Sequence, residues 1–274
     1  MPPLWQGEQQ PGCFLNFEVG LVKPHLNNNL VSGVNVIGLG PDTVSLPSGW
    51  LGGTVSPRVE FGYRLAEGGP ELLVAYRNVT SEGFEGILDF DPQGNGCLHT
   101  RLDLNVIDLD YATRQFILVP NLDLQGQVGA RFATLYFDEH AVGQILDQKV
   151  SNNFVGAGPQ LGFNGTYWFP GTRLGLFTRA EGAVLFGEVR QNFAESFWVN
   201  DVPVAGGAAN QHGAQTVPVF RVQAGLSWSP QWSNHSVRFT GGYEYEYWWN
   251  LGSVGPSNAD LTIQGLFLRG EWTF

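Results

Sequence analysis

Three groups of residues in this sequence have the types and spacing to do chemistry. The first is Asp138-Glu139-His140, where a carboxylate beside an imidazole could activate water as a general base. Nothing in the spacing fixes that geometry, and the five histidines include no recognisable Ser-His-Asp constellation, so no catalytic residue is assigned. The second is the segment 80–99, which holds Glu82, Glu85, Asp89 and Asp91 with no Lys or Arg. Clustered carboxylate oxygens suit a hard cation such as Ca²⁺. The spacing of a calcium loop is missing, so a solvated acidic loop is the better reading, and neither metal nor cofactor is expected. The third group is the largest: Arg and Glu or Asp at every second position of strand-like segments. Period two puts such charges on one face of a strand. Their chemistry is ion passage or ion pairing, not catalysis.

The elements that must position these charges are strands. Alternation recurs over roughly 14–23, 55–65, 71–79, 100–113, 121–137, 152–169, 172–189, 216–229, 235–250 and 260–274. No longer segment has the period of an amphipathic helix. Several strands exceed the ~5–6 residues usual in soluble sheets and reach the ~9–11 that a tilted strand needs to cross a bilayer. Connections alternate long and short, as long outer loops and short periplasmic turns do. The tight turns are Phe169-Pro170-Gly171-Thr172 and Ala66–Pro70. Residues 31–39 could add a hairpin and raise the count to twelve.

Composition agrees. The 274 residues include 37 Gly and 9 Trp, with 43% hydrophobic but only 14% charged residues and a net charge of −11. Low charge with abundant Gly and aromatics excludes a coiled coil or a disordered chain. No basic stripe exists to neutralise phosphates, so nucleic acid is not an expected partner. The N-terminus lacks a basic region followed by an apolar run, the mark of a removed signal peptide or a fragment. Residues 1–12 read as a tail and 13–274 as one domain.

Each strand has one face free of charge. Val59, Phe61, Tyr63 and Leu65 oppose Arg58, Glu60 and Arg64, and Tyr243, Tyr245, Tyr247 and Trp249 oppose Glu244 and Glu246. In a soluble sandwich the charged face would meet water, where Lys is the usual edge guard. Here only Lys23 and Lys149 occur in the whole chain. Aromatics also gather at strand ends: Tyr63, Tyr167, Trp228 and Trp272 at one rim, Tyr247 and Trp249 at the other. Two girdles mark two membrane interfaces. The expected fold is therefore all-β, a single antiparallel transmembrane β-barrel of about ten strands in contact with outer-membrane lipids.

The lumen is then lined by Glu18, Arg58, Glu60, Arg64, Arg101, Asp103, Asp108, Asp110, Arg131, Arg179, Glu181, Arg221, Arg238, Glu244, Glu246, Arg269 and Glu271. Strand 100–113 resists the scheme. Leu102 and Leu104 share parity with Asp108 and Asp110, so a one-residue bulge near Val106-Ile107 is predicted to turn both Asp inward. Cys13 and Cys97 fall at opposite rims, ~25 Å apart, too far to bridge.

Several segments carry a resemblance to a known family. They are Phe61–Leu65, Asp108–Tyr111, Ser151–Pro159, Gly241–Trp249 and the C-terminal Gln264–Phe274. Over residues 13–274 the chain resembles the Legionella-type pore-forming major outer-membrane protein family, in its planctomycete branch. The resemblance implies an outer-membrane barrel with a porin-like role, passing ions or small polar solutes, and assigns no catalytic residue. It also implies that Phe274 is the signal read by the barrel-assembly machinery. Two alternatives stay open: a closed structural or adhesive barrel presenting acidic loops, and, more weakly, a surface hydrolase. Eight strands leave room only for side chains while sixteen leave a channel, and ten lies near the closed end.

Overall fold

The computed structural model describes residues 11–29, 50–66, 69–87, 96–144, 146–199, 202–232, 235–252 and 258–273. The ten long strands are β1 (Gly12–Asn29), β2 (Thr54–Arg64), β3 (Glu71–Ile87), β4 (Gly96–Ala112) and β5 (Leu122–Val142), followed by β6 (Leu146–Trp168), β7 (Leu174–Val199), β8 (Val202–Trp228), β9 (His235–Trp248) and β10 (Asn258–Thr273). Each pairs antiparallel with its neighbours in sequence, and β1 pairs with β10 to close the barrel. Two short pieces, Phe116–Val119 and Gln231–Trp232, extend the turns before β5 and β9. The possible hairpin at 31–39 lies outside the described residues.

The turns between strands follow local chemistry. Pro170 and Gly171 occupy the centre of a tight turn, closed by Thr172 N–H donating to the Phe169 carbonyl at 3.1 Å. Gly171 has φ of +71°, which a side chain would resist. Gly69 N–H likewise donates to the Ala66 carbonyl at 2.8 Å. Both turns sit on the side of the termini, which is the periplasmic side in such barrels.

On the outer side the strands run further than the alternation predicts. The segments read as loops at 138–151 and 190–215 are tall hairpins. Val142 pairs with Asp147 across one, and Val199 with Val202 across the other. Residues 190–215 are rich in Gly, Ala, Asn and Gln, so they lack the apolar alternation that marks a strand. Pairing with a neighbour, not propensity, makes them strand. Segment 190–199 stands in the wall and does not fold across the lumen.

The outer surface of the lower barrel is an apolar coat. Leu15, Phe17, Leu21, Phe61, Val74, Leu109, Phe132, Leu161, Phe163, Leu176, Leu226, Leu266 and Leu268 all point outward and are exposed. A contiguous apolar surface of this extent is incompatible with water and fits lipid. Tyr63, Tyr167, Trp228 and Trp272 are exposed at its lower edge, with Trp249 exposed and Tyr247 half-buried at its upper edge. Phe274 lies outside the described residues.

A charged layer across the lumen

Inward positions of all ten strands meet in one polar layer. Asn16 and Glu18 come from β1, Arg58 and Glu60 from β2, and Arg77 from β3. Asp108 and Asp110 come from β4, Arg131 from β5, and Gln160 from β6. Arg179 and Glu181 lie on β7, Arg221 and Gln223 on β8, Glu244 and Glu246 on β9, and Arg269 on β10. Strand alternation alone aims them inward, because the opposite face is apolar and meets lipid.

Within this layer, bonds join neighbouring strands and also strands on opposite sides of the lumen. Arg77 on β3 reaches Glu244 at 3.2 Å and also pairs with Glu246, both on β9. Arg221 on β8 bonds Glu18 on β1 and Glu244 on β9, each at 2.6 Å. Arg179 on β7 and Arg269 on β10 both reach Glu60 on β2, at 3.5 and 2.9 Å. Glu181 sits at the centre, within ion-pair distance of Arg179 (2.5 Å), Arg131 (3.3 Å), Arg58 (3.7 Å) and Arg221 (3.8 Å). Arg131 also holds Asp108 through two N–H donors at 2.7 and 3.1 Å. The planar guanidinium can serve several carboxylates at once, which explains the choice of Arg over Lys.

Asp110 differs from the other acids. Gln160 and Gln127 donate to its two oxygens at 2.5 and 2.6 Å, and among the described residues no arginine pairs with it. Neither glutamine is found by reading charges, nor are Asn16 and Gln223, because neutral amides blend into the polar face.

Above this layer the interior turns apolar. Val22, Val79, Leu102, Leu104, Leu135, Phe137, Phe154, Leu185, Val219, Trp248, Leu261 and Ile263 form a continuous buried cluster. Leu51 and Leu251, from the outer connections, insert into it. Gly156 and Gly187 face each other across β6 and β7, and the ring of Phe154 lies against both. A side chain on either would displace it. Below the charged layer, a small vestibule of about 80 Å³ opens towards the periplasmic side, lined among others by Arg64, Glu71, Arg238, Arg269 and Glu271. There Arg64 pairs with Glu71 at 2.6 Å. Arg238 lies over the ring of Trp168, whose indole donates to Asp123 at 2.9 Å.

Two residues expected in the lumen are not there. Arg101 and Asp103 point outward, bonded to each other at 2.8 Å, and Arg101 is 46% exposed. The predicted bulge is also absent: β4 pairs residue by residue with β3 and β5 without a shift. Both corrections have one cause. Leu102, Leu104 and Val106 belong to the interior, because the interior above the charged layer is apolar. Asp108 and Asp110 face inward with no bulge, and Leu109 and Tyr111 face out.

The other sequence candidates are dispersed. Glu139 is buried inward, while His140 and Asp138 lie on the opposite face. His140 bonds Asp147 at 2.8 Å on the outer surface, not Asp138. Glu82 and Glu85 lie on β3, and Asp89 and Asp91 fall outside the described residues. Cys13 and Cys97 are both free, at opposite ends of the wall.

Comparison with known structures gives the same architecture. The outer membrane protease from Escherichia coli is 11% identical, with 97% of each chain covered and a TM-score of 0.56. Neisserial surface protein A (12% identity, 96% of this chain and 97% of that chain) and the toluene transporter of Ralstonia pickettii (10%, 98% and 90%) overlap more loosely, with TM-scores of 0.30 and 0.35. At 11% identity the likeness to the protease concerns the barrel fold alone. No functionally curated protein matches the chain. The family model described as Legionella pneumophila major outer membrane protein precursor matches residues 103–274. The chain belongs to this family and is a barrel of the cell outer membrane.

Proposed function

We propose that this protein is a closed outer-membrane barrel that presents tall strand hairpins at the cell surface. One observation carries the reading. Glu18, Arg58, Glu60, Asp108, Arg131, Arg179, Glu181, Arg221, Glu244 and Glu246, drawn from seven strands, are each only 1–4% exposed. In an open pore, inward charges would be wetted by the channel. Here they are dry and bonded across the lumen, with an apolar layer stacked above them.

Passive passage of ions or small polar solutes, the porin-like reading, needs both layers to part. Cross-lumen pairs in a dry interior resist that, because separating one leaves an uncompensated buried charge. The mixed-charge wall and the periplasmic vestibule are what favour conduction once the layers open. The surface-hydrolase reading has less geometric support, since Glu139 points into the barrel and His140 pairs on the outer surface with Asp147 and not with Asp138.

Planar-bilayer recording of the purified protein tests the proposal. A closed barrel gives no discrete openings at moderate voltage. Arg179→Ala combined with Glu60→Ala thins the layer and is expected to admit brief, small openings. Regular, long-lived steps from the unmodified protein would replace the closed reading with the porin-like one.

A further inference from the structure

Where β9, β10, β1 and β2 run side by side, the outer wall carries an open groove of about 400 Å³. Leu21, Val55, Tyr243 and Leu266 line it, with Lys23 and Gln264 at its upper end. Gly265 lets β10 approach β1 closely there, since a Cβ would run into the Leu21 carbonyl oxygen. The groove ends where lipid does. Outward positions of β1 run Leu15, Phe17, Val19 and Leu21, then Lys23, His25 and Asn27. Those of β10 run Leu268 and Leu266, then Gln264, Thr262 and Asp260. Lys23 stands opposite Gln264 in the register, so both strands turn from apolar to polar at one rung.

Lys23 is one of only two lysines in the chain, and its setting differs from that of other cations on the outward wall. Arg101 is held by Asp103 and Arg190 by Glu188. Among the described residues, no carboxylate lies within ion-pair distance of Lys23. Its ammonium instead sits 4.5 Å from the ring centroid of Trp50, which is itself exposed. Tryptophan is an anchor of the headgroup level, and a lysine stem can cover apolar surface while its charge reaches that level. Asp260, two outward positions above Gln264, is already engaged by the Tyr247 hydroxyl at 3.1 Å and the Asn250 N–H at 2.8 Å. Gln264 Oε1 accepts from the Tyr243 hydroxyl at 3.1 Å, which leaves its amide N–H groups to donate. An ammonium and an amide donor thus stand at the head of an apolar groove.

We propose that this groove is a lipid site. One acyl chain of an outer-leaflet lipid lies along Leu21, Val55, Tyr243 and Leu266, and the phosphate of its headgroup is bound by Lys23 and the Gln264 amide. The occupant follows from charge and place. The chain as a whole carries a net charge of −11, yet the groove is headed by a cation with no acid of its own. The groove lies in the lipid-facing coat, so the anion that meets Lys23 is one fixed to an acyl chain. Strand β1 rises from the periplasmic rim, which puts Lys23 at the outer edge of the bilayer and the lipid in the outer leaflet. A basic side chain at a membrane surface favours an anionic lipid by about fivefold. The inference stands whether the lumen conducts or not.

Native mass spectrometry of the refolded full chain in detergent tests this. The protein is titrated with phosphatidylglycerol, whose phosphate is uncompensated, or with phosphatidylcholine of the same acyl chains, whose phosphate is balanced by choline. The expected result is one retained lipid, with phosphatidylglycerol preferred about fivefold. Lys23→Gln should remove the preference. Val55→Trp fills the groove from β2 and should abolish retention of either lipid. Lys149→Gln, at the other lysine, exposed on the tall hairpin opposite His140, should leave both titrations unchanged. Equal retention of the two lipids by the parent, or a preference that survives Lys23→Gln, would overturn the phosphate contact. Retention undiminished by Val55→Trp would place the lipid elsewhere on the wall and overturn the groove.

Discussion

Strand β4 passes through two zones without a break in its pairing, and its faces trade chemistry on the way. Between Ile107 and Ala112 the outward residues are Ile107, Leu109 and Tyr111, while Asp108 and Asp110 point in. Between Leu98 and Val106 the outward residues are His99, Arg101, Asp103 and Asn105, while Leu98, Leu102, Leu104 and Val106 point in. The same exchange occurs on β7, where Arg179 and Glu181 give way inside to Leu185 and Val189, and Leu176 gives way outside to Glu188 and Arg190. The lower barrel is apolar outside because lipid surrounds it; the upper barrel is apolar inside because water does. One continuous wall obeys two solvents, and the level of Asn105 and Tyr76, whose side chains bond at 2.8 Å, marks the change.

Each zone is held by a different force, so substitutions should separate them. The largest effect is expected in the lower zone. Arg221→Met strips Glu18 and Glu244 of a shared partner inside a dry layer, and breaking a buried pair costs about 3–5 kcal/mol. Urea titration in micelles, read by heat-modifiable gel mobility, should show most of the folded barrel lost at denaturant levels the parent survives. In the upper zone the matching lesion is a cavity. Leu104→Ala empties a wholly buried site and should cost about 2–5 kcal/mol. Leu109→Ala, five residues along the same strand but facing lipid, leaves no cavity and should cost well under half of that. Equal losses at Leu104 and Leu109 would contradict the exchange of faces. The smallest effect belongs to Arg101→Ala. It removes an exposed surface pair with Asp103, worth about 0–1 kcal/mol, and its unfolding midpoint should be nearly that of the parent.

The lower zone was largely legible in the sequence and the upper zone was not. Period-two alternation with charge on one face is unambiguous where the other face must meet lipid. That is why Glu60, Arg179, Glu181, Arg221 and Glu244 could be aimed inward from sequence alone. The same rule misplaces Arg101 and Asp103, because they lie past the bilayer, in a stretch where the polar residues face out. The Leu102–Asp110 parity conflict was the readable sign of that boundary, and a bulge was the wrong explanation for it. Trp168 and Trp248 gave no signal either. Each is buried inside the barrel, the first bonded to Asp123 and the second to Glu246 at 2.8 Å, yet each lies beside an outward aromatic of a girdle. The hairpin at 190–215 was hidden for a different reason: its Gly, Ala and amide residues become strand only through their partners.

Where lipid ends along β4 decides whether the wall has two zones, and magnetic resonance in micelles reads that directly. A lipid-soluble spin label should broaden the signals of Leu109, Tyr111, Val128 and Leu268, and leave Arg101, Asp103, Glu188 and Arg190 sharp. A water-soluble gadolinium chelate should do the reverse for these outward residues, while leaving both Leu104 and Glu181 sharp. Broadening of Arg101 and Leu109 by the same lipid-soluble probe would contradict the two-zone wall, and broadening of Glu181 by the gadolinium chelate would contradict the closed lumen.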